Sequence, residues 1–492
     1  MKAAVIGAGI GGIATAIRLQ HAGFQVEVFE ASEKAGGKLN QFQRDDFRFD
    51  MGPSLFTLPN LVEELYALKG LKPYDFFAYN KLDILCKYFY EDGTNLIAFA
   101  NPDIFADETG KKTIDTKSKI IKFLKHCSDI YNITAETFLF NSLHDFRNYI
   151  SWHTLKAIPK LYKINTLKKM HEFNKSYFSD RRLVQLFNRY ATYNGSNPFR
   201  CPATLNVIAH LENNIGAYFP SKGMYSIAES LYQLSVDSGV IYHFNSKVNE
   251  IIINNRKATG ILVNNEQKDF DVMVSDVDVM SLYNHLLPSI VIPKRIKTAE
   301  MSTSALTFYW GINNEFPELK LHNILFTQGQ KEEFECLFQQ KTIYFDPTIY
   351  IFISSKEVKS DAPAGNENWY VMVNAPENIG QKWGSMIQET RKNIIRKINR
   401  ILKTDIQKHI LFEEILDPDK IEKTTSSYHG SLYGPASNSI ASAFYRHPNF
   451  TKQIKNLYFS GGSVHPGGGI PLCLASAKII DKKIRKDYKI KK

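Results

Sequence analysis

Gly7, Gly9 and Gly12 follow one another as G-x-G-x-x-G, and a carboxylate, Glu30, stands beyond them at the end of the next apolar run. Glycines so placed make a tight turn, let the backbone approach a pyrophosphate and let a helix pack close on a strand, while the acid can accept both hydroxyls of an adenosine ribose. The chemistry this spacing suits is the holding of a dinucleotide. Further on, Ala35-Gly36-Gly37-Lys38 sets a glycine pair before a cation, giving close backbone approach plus a positive charge for a buried pyrophosphate.

These residues can act together only if the chain around them folds as βαβ. Ala3-Ala4-Val5-Ile6 is an apolar run without helical period, residues 13–22 carry a helical pattern, and Gly23 can end that helix as a C′ glycine. Gln25-Val26-Glu27-Val28-Phe29 then alternates as a second strand that delivers Glu30. The helix N-terminus faces the phosphates.

At 492 residues the chain should divide into two or three domains, with room to enclose a large cofactor. Its five cysteines, Cys86, Cys127, Cys201, Cys336 and Cys473, are widely spaced and lack a C-x-x-C pair, which suggests a reducing compartment and no metal site. The 61 Lys and Arg against 50 Asp and Glu leave a net charge of +11, which suits an anionic surface. Without a nucleic-acid motif, lipid is the better partner. No apolar run of about 18 residues could span a bilayer, and the first strand begins too early for a signal peptide. The expectation is a cytoplasmic protein, peripherally associated with a membrane.

Phe47-Arg48-Phe49-Asp50-Met51-Gly52-Pro53-Ser54 completes a pattern that resembles the FAD-dependent carotenoid desaturases and isomerases, within the amine-oxidase-like flavoproteins. That family carries G-G-R or G-G-K after the ribose-binding acid, then D-x-G-P near the flavin; Lys38 keeps the charge of the commoner arginine but loses its bidentate reach. Asn194-Gly195-Ser196-Asn197-Pro198-Phe199 resembles the family's G-x-N-P-F, and Tyr218-Phe219-Pro220-Ser221-Lys222-Gly223-Met224 its Y-P-x-G-G-M. The segment from Asp271 to Val279 resembles the strand and turn that close the FAD domain, with D-V-D-V for the usual N-A-D-V. Val248 is similar to a valine set against the adenine. The run from Gly461 to Pro471 resembles G-x-x-x-H-P-G-x-G-I-P; glycines ahead of a helix would there offer close approach and a dipole to the flavin's pyrimidine edge. Gly430-Ser431-Leu432-Tyr433-Gly434, Asn438 and Ala443-Phe444-Tyr445-Arg446 resemble the branch acting on hydroxylated acyclic ends, the 1-hydroxycarotenoid 3,4-desaturases.

The resemblance implies an α/β fold, with a Rossmann-like FAD-binding domain, a β-sheet substrate domain and a helical, membrane-facing region. The FAD domain is expected at 1–75, 221–285 and 415–492, the helical region at 76–220 and the sheet domain at 286–414. FAD would be held by Gly7, Gly9, Gly12, Glu30, Gly37, Lys38, Gly52, Pro53, Ser54, Leu55, Val248, Asp276, Gly462, Gly468, Gly469, Ile470 and Leu472. His465 is a candidate for proton transfer or for a structural hydrogen bond, and no metal is required. The reaction implied is removal of two hydrogens from a carotenoid taken from the membrane, with a quinone or oxygen as electron acceptor. A phytoene desaturase or isomerase, an amine oxidase and a non-enzymatic prenyl-binding chaperone are the alternatives on the same fold.

Strands are expected at 305–311, 323–326, 348–354 and 369–374 in a mostly antiparallel sheet, and a helix at 386–402. In the helical region Leu155, Ile158, Leu161, Tyr162, Ile164 and Leu167 recur near helical spacing, interleaved with Lys156, Lys160, Lys163, Lys168 and Lys169. A basic amphipathic segment of this kind suits a membrane interface.

Overall fold

The computed structural model describes residues 1–145 and 158–490. The opening unit is β1 (Lys2–Ile6), α1 (Ile10–His21) and β2 (Gln25–Phe29), with β1 and β2 parallel from Lys2↔Gln25 to Ile6↔Phe29. Parallel pairing covers both faces, and Ala3, Ala4 and Val5 are all fully buried. Three strands from distant segments, β3 (Ile241–His243), β4 (Val272–Ser275) and β5 (Leu457–Phe459), complete an all-parallel sheet in the order β5-β4-β1-β2-β3. α1 packs against both α2 (Ser226–Asp237) and α3 (Ile470–Asp487). The chain leaves β1 toward β2 on one side and is joined by β4 on the other, so a crevice opens at the carboxyl ends of the strands, where such sheets bind ligands.

The second domain is a seven-stranded sheet. Its order is Ile410–Leu416, Ser304–Ile312, Glu367–Ala375, Ile349–Ile353, His322–Leu325, Ile84–Phe89 and Asn95–Phe99. All neighbours are antiparallel except His322–Leu325 with Ile84–Phe89. Side chains alternate across it. Leu306, Phe308 and Trp310 form one core with Ile394, Ile395 and Ile398 of the helix Trp383–Leu402, while Tyr309, Ile324, Phe326, Phe352 and Tyr370 share the core of the nucleotide domain.

Two of these strands correct the expectation of an all-helical stretch at 76–220. Ile84–Phe89 is buried on both faces through its parallel neighbour, so its apolar run lacks the alternation that marks a strand. Tyr79–Lys81 and Tyr218–Pro220 pair as a further short antiparallel ribbon, and the stretch also holds helices at Pro102–Lys112, Lys117–Thr134, Met170–Tyr177 and Arg181–Asn188. The lysine-rich segment differs from its expected amphipathic helix. Ile158–Ile164 is a 3-10 turn, Ile164 is buried, and Leu167 is 91% exposed beyond it; Leu155 and Lys156 lie outside the described residues. Among the described residues no helix is long and apolar enough to cross a membrane.

The hairpin Asn40–Arg44 and Phe47–Met51 joins the two domains. Arg48 donates to Asp50 at 2.9 and 3.1 Å and to Asp361 at 2.7 and 2.8 Å. Asp50 in turn accepts the backbone N–H groups of Met224 and Tyr225, both at 2.9 Å, at the start of α2. This explains two of the sequence patterns at once. The acid of D-x-G-P caps the turn of the Tyr218–Met224 motif, and a Cβ on Gly223 would overlap the Arg48 guanidinium.

Candidate active site

A cavity of about 1070 Å³ runs from the carboxyl ends of β1, β2 and β4 to the inner face of the seven-stranded sheet. Every residue expected to touch the cofactor lines it, from Gly7, Gly9 and Glu30 through Val248 to Ile470 and Leu472, except Gly12. Gly12 sits behind the wall, where any side chain would overlap the carbonyl of Gly7; it is the glycine that lets α1 close on β1.

Both helices that begin at this end, α1 and α3, have a glycine at the N-cap, Gly9 and Gly469, so neither N-cap residue supplies a capping side chain, although the Asp276 carboxyl takes up the Gly12 N–H of α1. Two helix N-termini on one cavity make a strong site for negative charge. Glu30 stands beside them, its Oε2 accepting from Ala8 N at 2.7 Å and its Oε1 from Ser32 N and Oγ at 2.8 and 2.7 Å. Three accepted bonds lock its rotamer and leave Oε2 free to take another from a ribose hydroxyl. Lys38 Nζ donates to the carbonyls of Leu432 and Ser431 at 2.8 and 3.1 Å, and burial, opposed by Asp278 nearby, lowers its pKa.

Asp276, at the end of β4, fills the space between the two glycine motifs. A Cβ on Gly9 would lie 2.5 Å from its Oδ2, one on Gly461 would lie 2.5 Å from its Oδ1, and one on Gly11 would overlap Oδ1. Those glycines therefore accommodate Asp276 as well as a phosphate. Its Oδ1 is buried without a partner, and burial lifts the carboxyl from 3.8 to about 7 against the pull of the Gly12 N–H. A neutral carboxyl can donate to a phosphate oxygen, whereas an ionised one would repel it. The folded state holds this proton more tightly than the unfolded chain does. Its stabilising contribution is therefore present at low pH and is lost as pH rises from 3.8 through about 7. Asp276→Asn is expected to gain on the wild-type apoprotein by about 2 kcal/mol between pH 5.5 and pH 8, read from urea midpoints; parallel pH curves for the two proteins would refute the assignment.

The C-terminal turn is braced from outside. Arg446 donates to Tyr433 O at 2.7 Å and to Asn194 Oδ1 at 2.8 Å, and Asn438 Oδ1 accepts from Asn197 N at 2.7 Å. The motifs around Asn194, Tyr433 and Arg446 are thus one scaffold around the cavity. His465 stands apart from the cavity wall. It is 2% exposed, its Nε2 lies 2.9 Å from Asn141 O, and burial lowers its pKa to about 4. That geometry is the structural hydrogen bond of its two expected roles.

The far end of the cavity carries residues that no local motif announced. Tyr350, Tyr370, Ile324, Phe326 and Met372 present one sheet face to it. Glu333 is buried there, accepting from Thr348 N and Oγ1 at 2.7 and 2.8 Å, and burial lifts its carboxyl to about 7. Arg189 and Glu212 pair at 3.3 Å within a cluster of tyrosines. The sequence signal for this wall was the strand pattern at 323–326, 348–354 and 369–374.

A dinucleotide cradle at one end and an apolar chamber under a sheet at the other define a flavoprotein oxidoreductase. A family model described as "Flavin containing amine oxidoreductase" matches residues 10–479, and the chain belongs to that family. It is 46% identical, over 97% of its length and 98% of the relative's, to the 1-hydroxycarotenoid 3,4-desaturase of Flavobacterium sp. (strain P99-3). It is 30% identical to the 4,4'-diapolycopene oxygenase of Methylomonas sp., covering 98% of each chain. Putrescine oxidase bound to putrescine has the same fold, with a TM-score of 0.63, 13% identity and 100% of both chains covered. The cofactor is FAD, and the residues present fit it: Glu30 Oε2 could accept from a ribose hydroxyl, the starts of α1 and α3 would take negative charge, and the orphaned Oδ1 of Asp276 lies beside glycines that leave room for a phosphate.

Proposed function

We propose that the enzyme is a carotenoid desaturase that introduces the 3,4-double bond into a 1-hydroxylated acyclic carotenoid. The observation that carries this reading is the 46% identity over 97% of this chain and 98% of the relative's. When bound, FAD would supply the hydride acceptor for one carbon of the bond, with a quinone or oxygen as the final electron acceptor. The neighbouring carbon loses a proton, so two hydrogens leave and one double bond forms in conjugation with the polyene.

The chain's own part is to bind, orient and exclude water. Glu30 and the starts of α1 and α3 fix the cofactor, and Gly52 to Leu55 carry the wall on toward the sheet. The inner sheet face then holds an apolar chain against the cofactor in a dry chamber, where a hydrocarbon gains about 25 cal/mol for each Å² removed from water. Such a substrate dissolves in lipid, so the enzyme works at a membrane surface. The exposed Leu167, beside Lys168 and Lys169, is the candidate point of attachment.

The test is expression in cells that accumulate a 1-hydroxylated acyclic carotenoid. A shift of the pigment's absorption to longer wavelength, with loss of two hydrogens by mass, is expected. Unchanged pigment in the presence of flavin-loaded protein would refute the desaturase reading.

A further inference from the structure

Ser54, Tyr350 and His322 form a hydrogen-bonded chain on the cavity wall. Tyr350 Oη lies 2.7 Å from Ser54 Oγ and 2.8 Å from His322 Nδ1. The three residues come from the segment after Gly52-Pro53 and from two antiparallel strands of the sheet, Ile349–Ile353 and His322–Leu325. All three line the cavity. His322 is 4% exposed, its Nε2 has no partner, and burial together with the nearby Arg189 drops its pKa to about 3, so the ring is neutral.

Counting protons shows what the chain lacks. A serine hydroxyl, a tyrosine hydroxyl and a neutral imidazole carry three protons between them, and the two contacts consume two. If the bonds run from histidine to tyrosine to serine, the Ser54 O–H is left over. If they run the other way, His322 Nε2–H is left, and if both neighbours donate to Tyr350, its own O–H is left. In every tautomer one donor remains on the wall of a largely apolar chamber, and leaving such a donor buried and unpaired is unfavourable.

We propose that this chain is the subsite for the hydroxyl of the substrate's end, and hence the group that selects a hydroxylated polyene over a hydrocarbon one. A hydroxyl oxygen accepts the leftover proton, and a hydrocarbon end offers nothing to it. The position fits the chemistry. Ser54 belongs to the segment that adjoins the cofactor cradle, and in a 1-hydroxy end the oxygen is only a few bonds from the 3,4-bond, so the group that reads the oxygen must lie close to the reacting carbons. The inference rests on the carotenoid reading above and deepens it.

The experiment compares the flavin-loaded wild type with Tyr350→Phe, which leaves the Ser54 and His322 donors both unpaired, and with Ser54→Ala/Tyr350→Phe/His322→Leu, which leaves none. Each is titrated with an acyclic carotenoid bearing a 1-hydroxyl and with the same carotenoid lacking it, binding being read from quenching of protein fluorescence. Wild type and Tyr350→Phe are expected to prefer the hydroxylated polyene by about 10-fold or more, and the triple variant to bind the two alike. A merely structural role would weaken both ligands equally and keep their ratio, and that outcome, a preference unchanged in the triple variant, would overturn the proposal. Turnover is scored separately. A wild type that prefers the hydroxylated polyene yet leaves it unconverted refutes the desaturase reading and keeps the subsite, whereas one that binds neither polyene removes both.

Discussion

Gly469→Val protein is expected to fold and to purify nearly colourless, with flavin occupancy below about a tenth of wild type. Gly469 is the N-cap of α3, has φ +104°, and lines the cavity. A Cβ built on it meets no protein atom within 4 Å. The added side chain therefore projects into the space the cofactor must take, and that is its main effect. Forcing a β-branched residue to positive φ adds about 1–3 kcal/mol of strain, which should appear as a modest loss in urea midpoint. Gly468 makes the contrast, because a Cβ there would lie 2.8 Å from the Tyr433 ring, so Gly468→Ala damages the scaffold first. Flavin absorbance per polypeptide and the urea midpoint, measured on both variants, separate the two effects. A stable Gly469→Val protein with full flavin would take the C-terminal turn out of the cofactor site.

Arg48→Met should cost about 3–5 kcal/mol at neutral pH. Arg48 is 12% exposed and its partners Asp50 and Asp361 are each 1% exposed, so the variant strands two buried carboxylates side by side. In the wild type, burial works against the guanidinium's charge, but hydrogen bonds to Asp361 and Asp50 outweigh it and hold the pKa above its usual value. Without that cation the main offset to the burial that already raises the Asp361 carboxyl is gone, and its protonated form is favoured. The folded variant then takes up protons that the unfolded chain releases, so the deficit shrinks as pH falls toward 5. Urea midpoints at pH 7 and pH 5 check this, and a deficit below about 1 kcal/mol that ignores pH would mean that the joint between the domains does not depend on this ion pair.

The cofactor end was legible because its chemistry is local. A phosphate cradle needs glycines at fixed offsets before a helix, and Gly7, Gly9, Gly12 and the run ending at Gly469 declare themselves within a dozen residues each. Even there the reading was partial, since Gly9, Gly11 and Gly461 also yield to the carboxyl of Asp276, which arrives from the far side of the chain. The substrate end was not legible. Ser54, His322 and Tyr350 meet only because two sheet strands and a loop converge; Ser54 closes the D-x-G-P segment, where the expectation set it at the cofactor, and neither His322 nor Tyr350 sits in a motif. Ile84–Phe89 was hidden for another reason, since a strand covered on both faces loses its alternation.

The order of strands in the parallel sheet also governs when the enzyme can come into being. β1 and β2 leave the ribosome first, but β4 lies beside β1 and β5 beside β4, and β5 follows β2 by roughly 430 residues. At ordinary translation rates that gap is roughly 20 to 90 s. Until β4 is made, roughly 240 residues after β2, the apolar edge of β1, through Ala3 and Val5, has no partner strand, which is an invitation to aggregation. The N-terminus of α3, half of the flavin cradle, is made later still. Flavin uptake is therefore among the last events in the enzyme's biogenesis, and holding chaperones should raise the fraction of chains that ever become yellow.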